Sequence, residues 1–295
     1  MKFLTSYPNL TVVFACFFWG TYWIPLRYID SNIDGSVWPI FASFFLVSIF
    51  LAKPFFKIIK NNFMIKNYFF LFACIFSALA IALYSESLIR GEIAKVVVLF
   101  YLCPIWGTIL AILFLKKKIK INRIIAILLG LIGLEIIVGF DKGFFFPSLI
   151  VEWIALIAGI TWAIGLTFFN LAKPTTGFEK TTFTCFFVSL IYLLLCFIPE
   201  GRTFSLSGNL LNSKLIYFWI ILFSIVWLLP SIVLTYFSVD ILDPGRINIL
   251  LAFEVLIGIF TAALLTNESV GIREILGAIF VISACFADVL FDKKN

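Results

Sequence analysis

The chain has 295 residues, of which 63% are hydrophobic and only 13% charged, with a mean hydropathy of +1.13. A soluble domain carries roughly 25% charged residues, and a single core at this length cannot hide so much apolar surface, so the bilayer must be the solvent for most side chains. The net charge of +6 does not indicate nucleic acid, because the basic residues lie between apolar runs rather than on one soluble face, and the complete lack of His excludes a His base, ligand or triad.

Taken in chain order, turn residues and charges cut the sequence into ten apolar segments, each near the 20 or so residues that a helix needs to cross the hydrocarbon. They are expected at about 9–28, 36–52, 67–88, 94–115, 121–139, 149–170, 179–198, 215–238, 245–265 and 272–291. The first begins after Lys2 like a secretory signal, but it runs on to Arg27 with no small-residue cleavage site, and is expected to stay as a helix. The breaks carry the punctuation of short loops, including Lys53-Pro54, Lys116-Lys117-Lys118, Asp141-Lys142-Gly143, Lys173-Pro174 and Asp243-Pro244-Gly245. The longest break, about 199–214, reads as a surface loop, and no segment reads as a soluble domain.

Short cytoplasmic loops carry an excess of Lys and Arg. With the N-terminus inside, fifteen basic residues fall on the cytoplasmic side and seven on the other, so both termini are expected in the cytoplasm. The six Cys (Cys16, Cys74, Cys103, Cys185, Cys196 and Cys285) all fall in apolar runs and never as C-x-x-C, which reads as packing rather than disulfide or metal chemistry. No metal and no cofactor is expected.

An internal repeat runs through the segments. Phe18-Trp19-Gly20-Thr21 in the first corresponds to Thr161-Trp162-Ala163-Ile164 in the sixth, and Glu92-x-x-Lys95 corresponds to Asp243-x-x-Arg246. Pro104 stands thirteen residues before Lys117, as Val255 stands thirteen before Glu268. Two five-helix units, 9–139 and 149–291, are expected; because five is odd, the second enters the membrane from the opposite side.

On these residues the chain resembles the EamA-type branch of the drug/metabolite transporter superfamily. The likeness rests on Trp19-Gly20, Trp162-Ala163, Pro104 and Leu265-Thr266-Asn267-Glu268 followed by Gly277-Ala278, and spans nearly the whole chain. Lys117 stands where the family usually has Glu, and Val255 where it often has Pro. The resemblance implies an all-α polytopic fold, two inverted five-helix repeats interlocked around a central cavity. It does not fix a substrate.

Charges deep in a bilayer are costly and mark function or a satisfied buried pair. Glu254 is the acid nearest the middle of a segment; it reads either as a coupling group or counter-ion to a cationic substrate, or as a neutral carboxyl bonded to a neighbouring helix. Trp19, Trp162 and Trp227 lie near segment midpoints, away from the interfaces where Trp usually sits, so each must bury its indole N–H or face a cavity. With Trp23, Tyr84 and Tyr101 they make an aromatic candidate site that suits an amine, a quaternary ammonium compound or an amino acid. The bland reading is lipid contact or packing in a chain that is 18% aromatic. Glu92, Lys95, Asp243 and Arg246 form two pairs spaced three apart at helix starts, either paired gates at opposite faces or simple caps. Glu86, Arg90 and Asp240 join these clusters, while Glu135 and Glu152 read as interfacial. Proline and glycine inside the segments (Pro25, Pro39, Pro104, Pro230) can admit kinks.

The expected function is a secondary transporter working by alternating access in a bacterial-type inner membrane, with a small-molecule substrate, membrane lipids as surroundings, protons as a candidate coupling ion, and a monomer or homodimer as the unit. No G-x-x-x-x-G-K-[ST] loop exists to bind ATP. The alternatives are a channel or a lipid-handling protein. A membrane enzyme would concentrate His, Asp or Arg at one interface, so no enzyme is expected.

Overall fold

The computed structural model describes residues 6–32, 36–60, 67–116, 118, 120–138, 147, 149–197, 214–265 and 271–290. Lys117, the segment Thr266-Asn267-Glu268, the turn Asp141-Lys142-Gly143 and the loop over 199–213 lie outside the described residues, as does the side chain of Cys285. Among the described residues there are helices and no strand, as expected where no water satisfies the backbone and each segment must close its own hydrogen bonds.

The helices are α1 (Pro8–Gly20), α2 (Trp23–Ser31), α3 (Trp38–Phe50), α4 (Ala52–Lys60), α5 (Tyr68–Arg90), α6 (Ile93–Phe100), α7 (Cys103–Leu115) and α8 (Ile121–Val138). They continue as α9 (Ile150–Leu171), α10 (Gly177–Leu195), α11 (Lys214–Leu222), α12 (Leu229–Ser238), α13 (Pro244–Leu251), α14 (Phe253–Leu265) and α15 (Ile272–Leu290). Helix occupies each expected segment, yet not every segment is a full-length span. Among the described residues seven stretches are long and apolar enough to span a membrane: Pro8–Ser31, Tyr68–Arg90, Lys95–Leu115, Ile150–Leu171, Gly177–Leu195, Lys214–Ser238 and Pro244–Leu265. The pair α3 and α4, bent by 72° at Leu51, makes an eighth if it is one span. The Lys53-Pro54 break is thus a sharp corner leading into more helix, because Pro54 is tolerated in a first helical turn.

Three spans are interrupted near their middles. Pro25 has no N–H to return to the Thr21 carbonyl, which accepts instead from Ile24 at 3.1 Å, and α1 ends from α2 there. Pro104 likewise cannot donate to the Phe100 carbonyl, and α6 ends from α7 at Tyr101 and Leu102. No proline accounts for the break at Ala252. There the turn tightens: Ala252 N–H reaches Ile249 O at 3.2 Å and Val255 N–H reaches Ala252 O at 3.1 Å, both three residues back. A single π segment, Phe223–Leu228, joins α11 to α12 just before Pro230.

Packing places these irregular points at the centre. The unbroken α9 lies against α5, α6 and α7, while α1 packs on α12, α13 and α14, and α8 pairs with α15. Gly159 on α9 seats itself on the carbonyl freed by Pro104: a Cβ there would stand 2.5 Å from Phe100 O. Gly20 lets α1 approach α14 closely, since its Cβ would lie 2.9 Å from the Glu254 carbonyl. Outward faces carry large apolar side chains such as Phe17, Leu113 and Leu264. Five cysteines are free thiols, four of them buried.

Candidate functional site

Glu254 occupies the first turn of α14, just past the break at Ala252, and is 3% exposed. Its two carboxyl oxygens are held separately. The Tyr84 hydroxyl, from the second half of α5, donates to Oε1 at 2.9 Å, and the Tyr101 hydroxyl, from the break between α6 and α7, donates to Oε2. Tyr101 thus reaches, from the break in one span, a group on another.

Around this carboxyl stands an aromatic wall. Phe100 stacks on Tyr84 with ring centres 4.3 Å apart, and Trp19 meets Trp162 edge to face at 6.1 Å. These two tryptophans correspond in the sequence repeat, yet their indoles are bonded differently. Trp19 Nε1 donates to Thr235 Oγ1 at 3.2 Å, whereas Trp162 Nε1 is buried with no hydrogen-bond partner among the described residues. Trp19, Ala80, Ile81, Tyr84, Phe100, Tyr101, Trp162, Leu251 and Glu254 line one cavity. Its volume is about 10 Å³, room for roughly one water. The site is contracted, and a metabolite can enter only if the walls move.

Five of the seven predicted aromatic and acidic site residues therefore converge: Trp19, Tyr84, Tyr101, Trp162 and Glu254. The other two do not line the cavity. Trp23 Nε1 donates to Thr261 Oγ1 at 3.2 Å with Arg27 over its ring, and Trp227, in the π segment, donates to Thr21 Oγ1 at 2.9 Å beside the α1 break. Both satisfy their N–H against a threonine on a neighbouring span. Phe100, Ala80, Ile81 and Leu251 join the wall without a signal in the sequence, being ordinary apolar residues in apolar runs.

The charged pairs spaced three apart have partners the spacing did not reveal. Lys95 on α6 forms an ion pair at 2.6 Å with Glu152 on α9. Glu152 lies in the first turn of α9 and is buried as that partner. Asp243 receives Arg123 from α8 in a two-point contact at 2.5 and 3.1 Å. Its tie to Arg246 runs through the backbone: Asp243 Oδ1 accepts the Arg246 N–H at 3.1 Å and so caps α13, while Arg246 Nε donates to Asn9. Glu86 pairs with Arg90 at 3.0 Å along α5. Lys180 is wholly buried at the start of α10 and pairs with Asp240 at 2.6 Å.

The model of the EamA-like transporter family matches residues 7–139 and again 149–287. The chain belongs to that family. A crystal structure of another protein superimposes on this EamA-like chain with a TM-score of 0.69 at 12% identity, covering 97% of each, which shows a shared fold. No curated protein matches the sequence. The chain is thus an all-helical, multi-pass membrane protein of a transporter family, in which the family pattern occurs twice.

Proposed function

We propose that this EamA-like protein is a secondary carrier of a small metabolite with a cationic nitrogen: an amine, a quaternary ammonium compound or an amino acid. One observation carries the reading, a buried carboxyl gripped by two tyrosine hydroxyls inside an aromatic cavity where interrupted spans meet. A carboxylate at mid-membrane costs about 3 kcal/mol on insertion scales and is kept where it has a task. The two hydroxyl donors fix the carboxyl in place, and an aromatic wall attracts an organic cation through the ring faces. Interrupted helices put polar backbone where it lines a cavity, as carriers require.

Ten crossings arranged as two inverted repeats, with both termini in the cytoplasm of a bacterial-type cell, complete the proposal. Alternating access would come from rocking of the two units, with Lys95–Glu152 and Arg123–Asp243 as ion-paired gates and protons exchanging on Glu254 as the coupling step. The contracted cavity suits an occluded or empty state between the two openings. The test is flux of tetramethylammonium, short primary amines and amino acids into proteoliposomes at two pH values, with Glu254→Gln beside the wild type. At least a tenfold loss of flux and of its pH dependence is expected. Unchanged flux in Glu254→Gln would remove the carboxylate from the mechanism.

A further inference from the structure

Tyr101 is a wall with two sides. Its hydroxyl serves Glu254 in the cavity described above, and the same residue also lines a second cavity, with Pro104, Ala126, Gly130, Leu134 and Ala252 among its other walls. This second space, a cavity of about 20 Å³, lies between α7, α8, α15 and the α13–α14 break. Apart from Tyr101, every residue lining it is Ile, Leu, Ala, Gly or Pro. With Tyr101 the only side chain in its lining that carries a polar atom, the space suits hydrocarbon.

The partition between the cavities is built from the irregular points of two spans. Tyr101 sits in the α6–α7 break; Leu251 lines the first cavity and Ala252, in the α13–α14 break, lines the second. Helix breaks are where the backbone shifts at least cost, because regular four-back hydrogen bonds are already missing. On the far side an added Cβ at Gly130 would meet the Ala284 Cβ at 3.7 Å, an ordinary contact. A swing of the Tyr101 ring would join a carboxylate chamber to an apolar annex.

We propose that the second cavity receives the apolar tail of the substrate, which makes the substrate class an amphiphilic organic cation: an amine or quaternary ammonium head at Glu254 and a short alkyl chain beyond Tyr101. The inference rests on the cation-site reading above.

The test uses the protein in nanodiscs and reads its intrinsic tryptophan fluorescence, to which Trp19 and Trp162 contribute, as tetramethylammonium and its ethyl, butyl and hexyl homologues (alkyltrimethylammonium ions) are titrated. Affinity should rise roughly three- to fourfold for each added methylene until the annex fills. Ala126→Leu, and the milder Gly130→Ala in case the first fails to fold, should flatten that rise while leaving the Kd of tetramethylammonium within twofold. An unchanged rise in either folded filler variant, or no rise in the wild type with normal tetramethylammonium binding, overturns the annex alone. If tetramethylammonium does not bind, or binds Glu254→Gln equally well, the cation-site reading falls and the annex with it. A matched series of uncharged alcohols showing the same rise, lost in the same variants, would make the space a lipid-tail site and overturn the proposal.

Discussion

Tyr101 and Glu254 meet where two spans are both interrupted, one at Tyr101 itself and the other two residues before Glu254, and the tyrosine hydroxyl donates to Oε2 of the carboxyl. Tyr84 takes the other oxygen from an unbroken helix. A carboxyl with each oxygen held by a separate span reports the relative position of those spans. Movement of either break changes how many donors it keeps.

Removing one donor at a time should show this. Tyr84→Phe and Tyr101→Phe each leave one buried carboxyl oxygen unpartnered, at a cost of about 1–3 kcal/mol. Thermal unfolding in detergent should show each loss. The double variant should lose less than the sum, because with neither donor present the carboxyl can settle as a neutral acid. Strict additivity would show that the two tyrosines act on Glu254 independently.

The two corresponding tryptophans should separate stability from binding. Trp19→Phe deletes the hydrogen bond to Thr235 and should lower stability by about 1 kcal/mol. Trp162→Phe deletes a buried donor that has no partner, so the unliganded protein should lose little beyond the smaller ring. If substrate accepts from that N–H, flux or ligand-induced stabilisation should fall in Trp162→Phe, and equal behaviour of the two variants in both assays would contradict this.

Gly159 must lack a side chain. In Gly159→Ala the new Cβ would press on the Phe100 carbonyl at 2.5 Å, a backbone atom that cannot rotate away. The expected loss is about 1–3 kcal/mol in thermal unfolding. Gly258→Ala is the control, since its Cβ would find Gly20 O at 3.7 Å, an ordinary contact. Equal stability of the two variants would show that α9 does not sit on the break as described.

The Lys180–Asp240 pair is lopsided: the Lys180 side chain is 0% exposed and that of Asp240 is 40% exposed. Asp240→Asn strands an ammonium with no access to water, whereas Lys180→Met leaves a carboxylate that water can reach. The first should therefore destabilise by more than the second, with the buried-pair range of about 3–5 kcal/mol as its ceiling. Chemical denaturation of both variants reads the difference, and the reverse order would refute the assignment of burial.

For the proposed gate, Arg123→Asp should disturb transport by placing like charges together, and Arg123→Asp with Asp243→Arg should restore part of it. Asp243→Asn separates the two duties of that residue, because an amide oxygen can still cap α13 but cannot answer Arg123. Proteoliposome flux in both directions distinguishes a gate, which alters exchange rates, from a simple staple, which lowers the melting temperature alone.

The lipid-soluble character, the helical spans, the breaks at Pro25 and Pro104 and the repeat of Trp19 in Trp162 were all legible along the chain, because hydropathy and proline act through neighbours in sequence. Membership of the EamA-like family followed from the same local patterns. The break at Ala252 was not legible, having no proline to mark it. The partners of Lys95, Asp243 and Lys180 were also hidden, and the spacing rule offered nearer residues instead. Helix faces some 60 to 170 residues apart choose those partners, as they choose Tyr84 for Glu254. The same holds for Trp23 and Trp227, whose N–H groups find threonines and leave the cavity to Trp19 and Trp162. Sequence determined that this protein would lie in a bilayer as helices and that Glu254 would fall within an apolar span, because hydropathy is decided residue by residue. Tertiary structure alone decided what that carboxyl touches, because in an interior packed like a crystal each contact depends on how several spans fit at once.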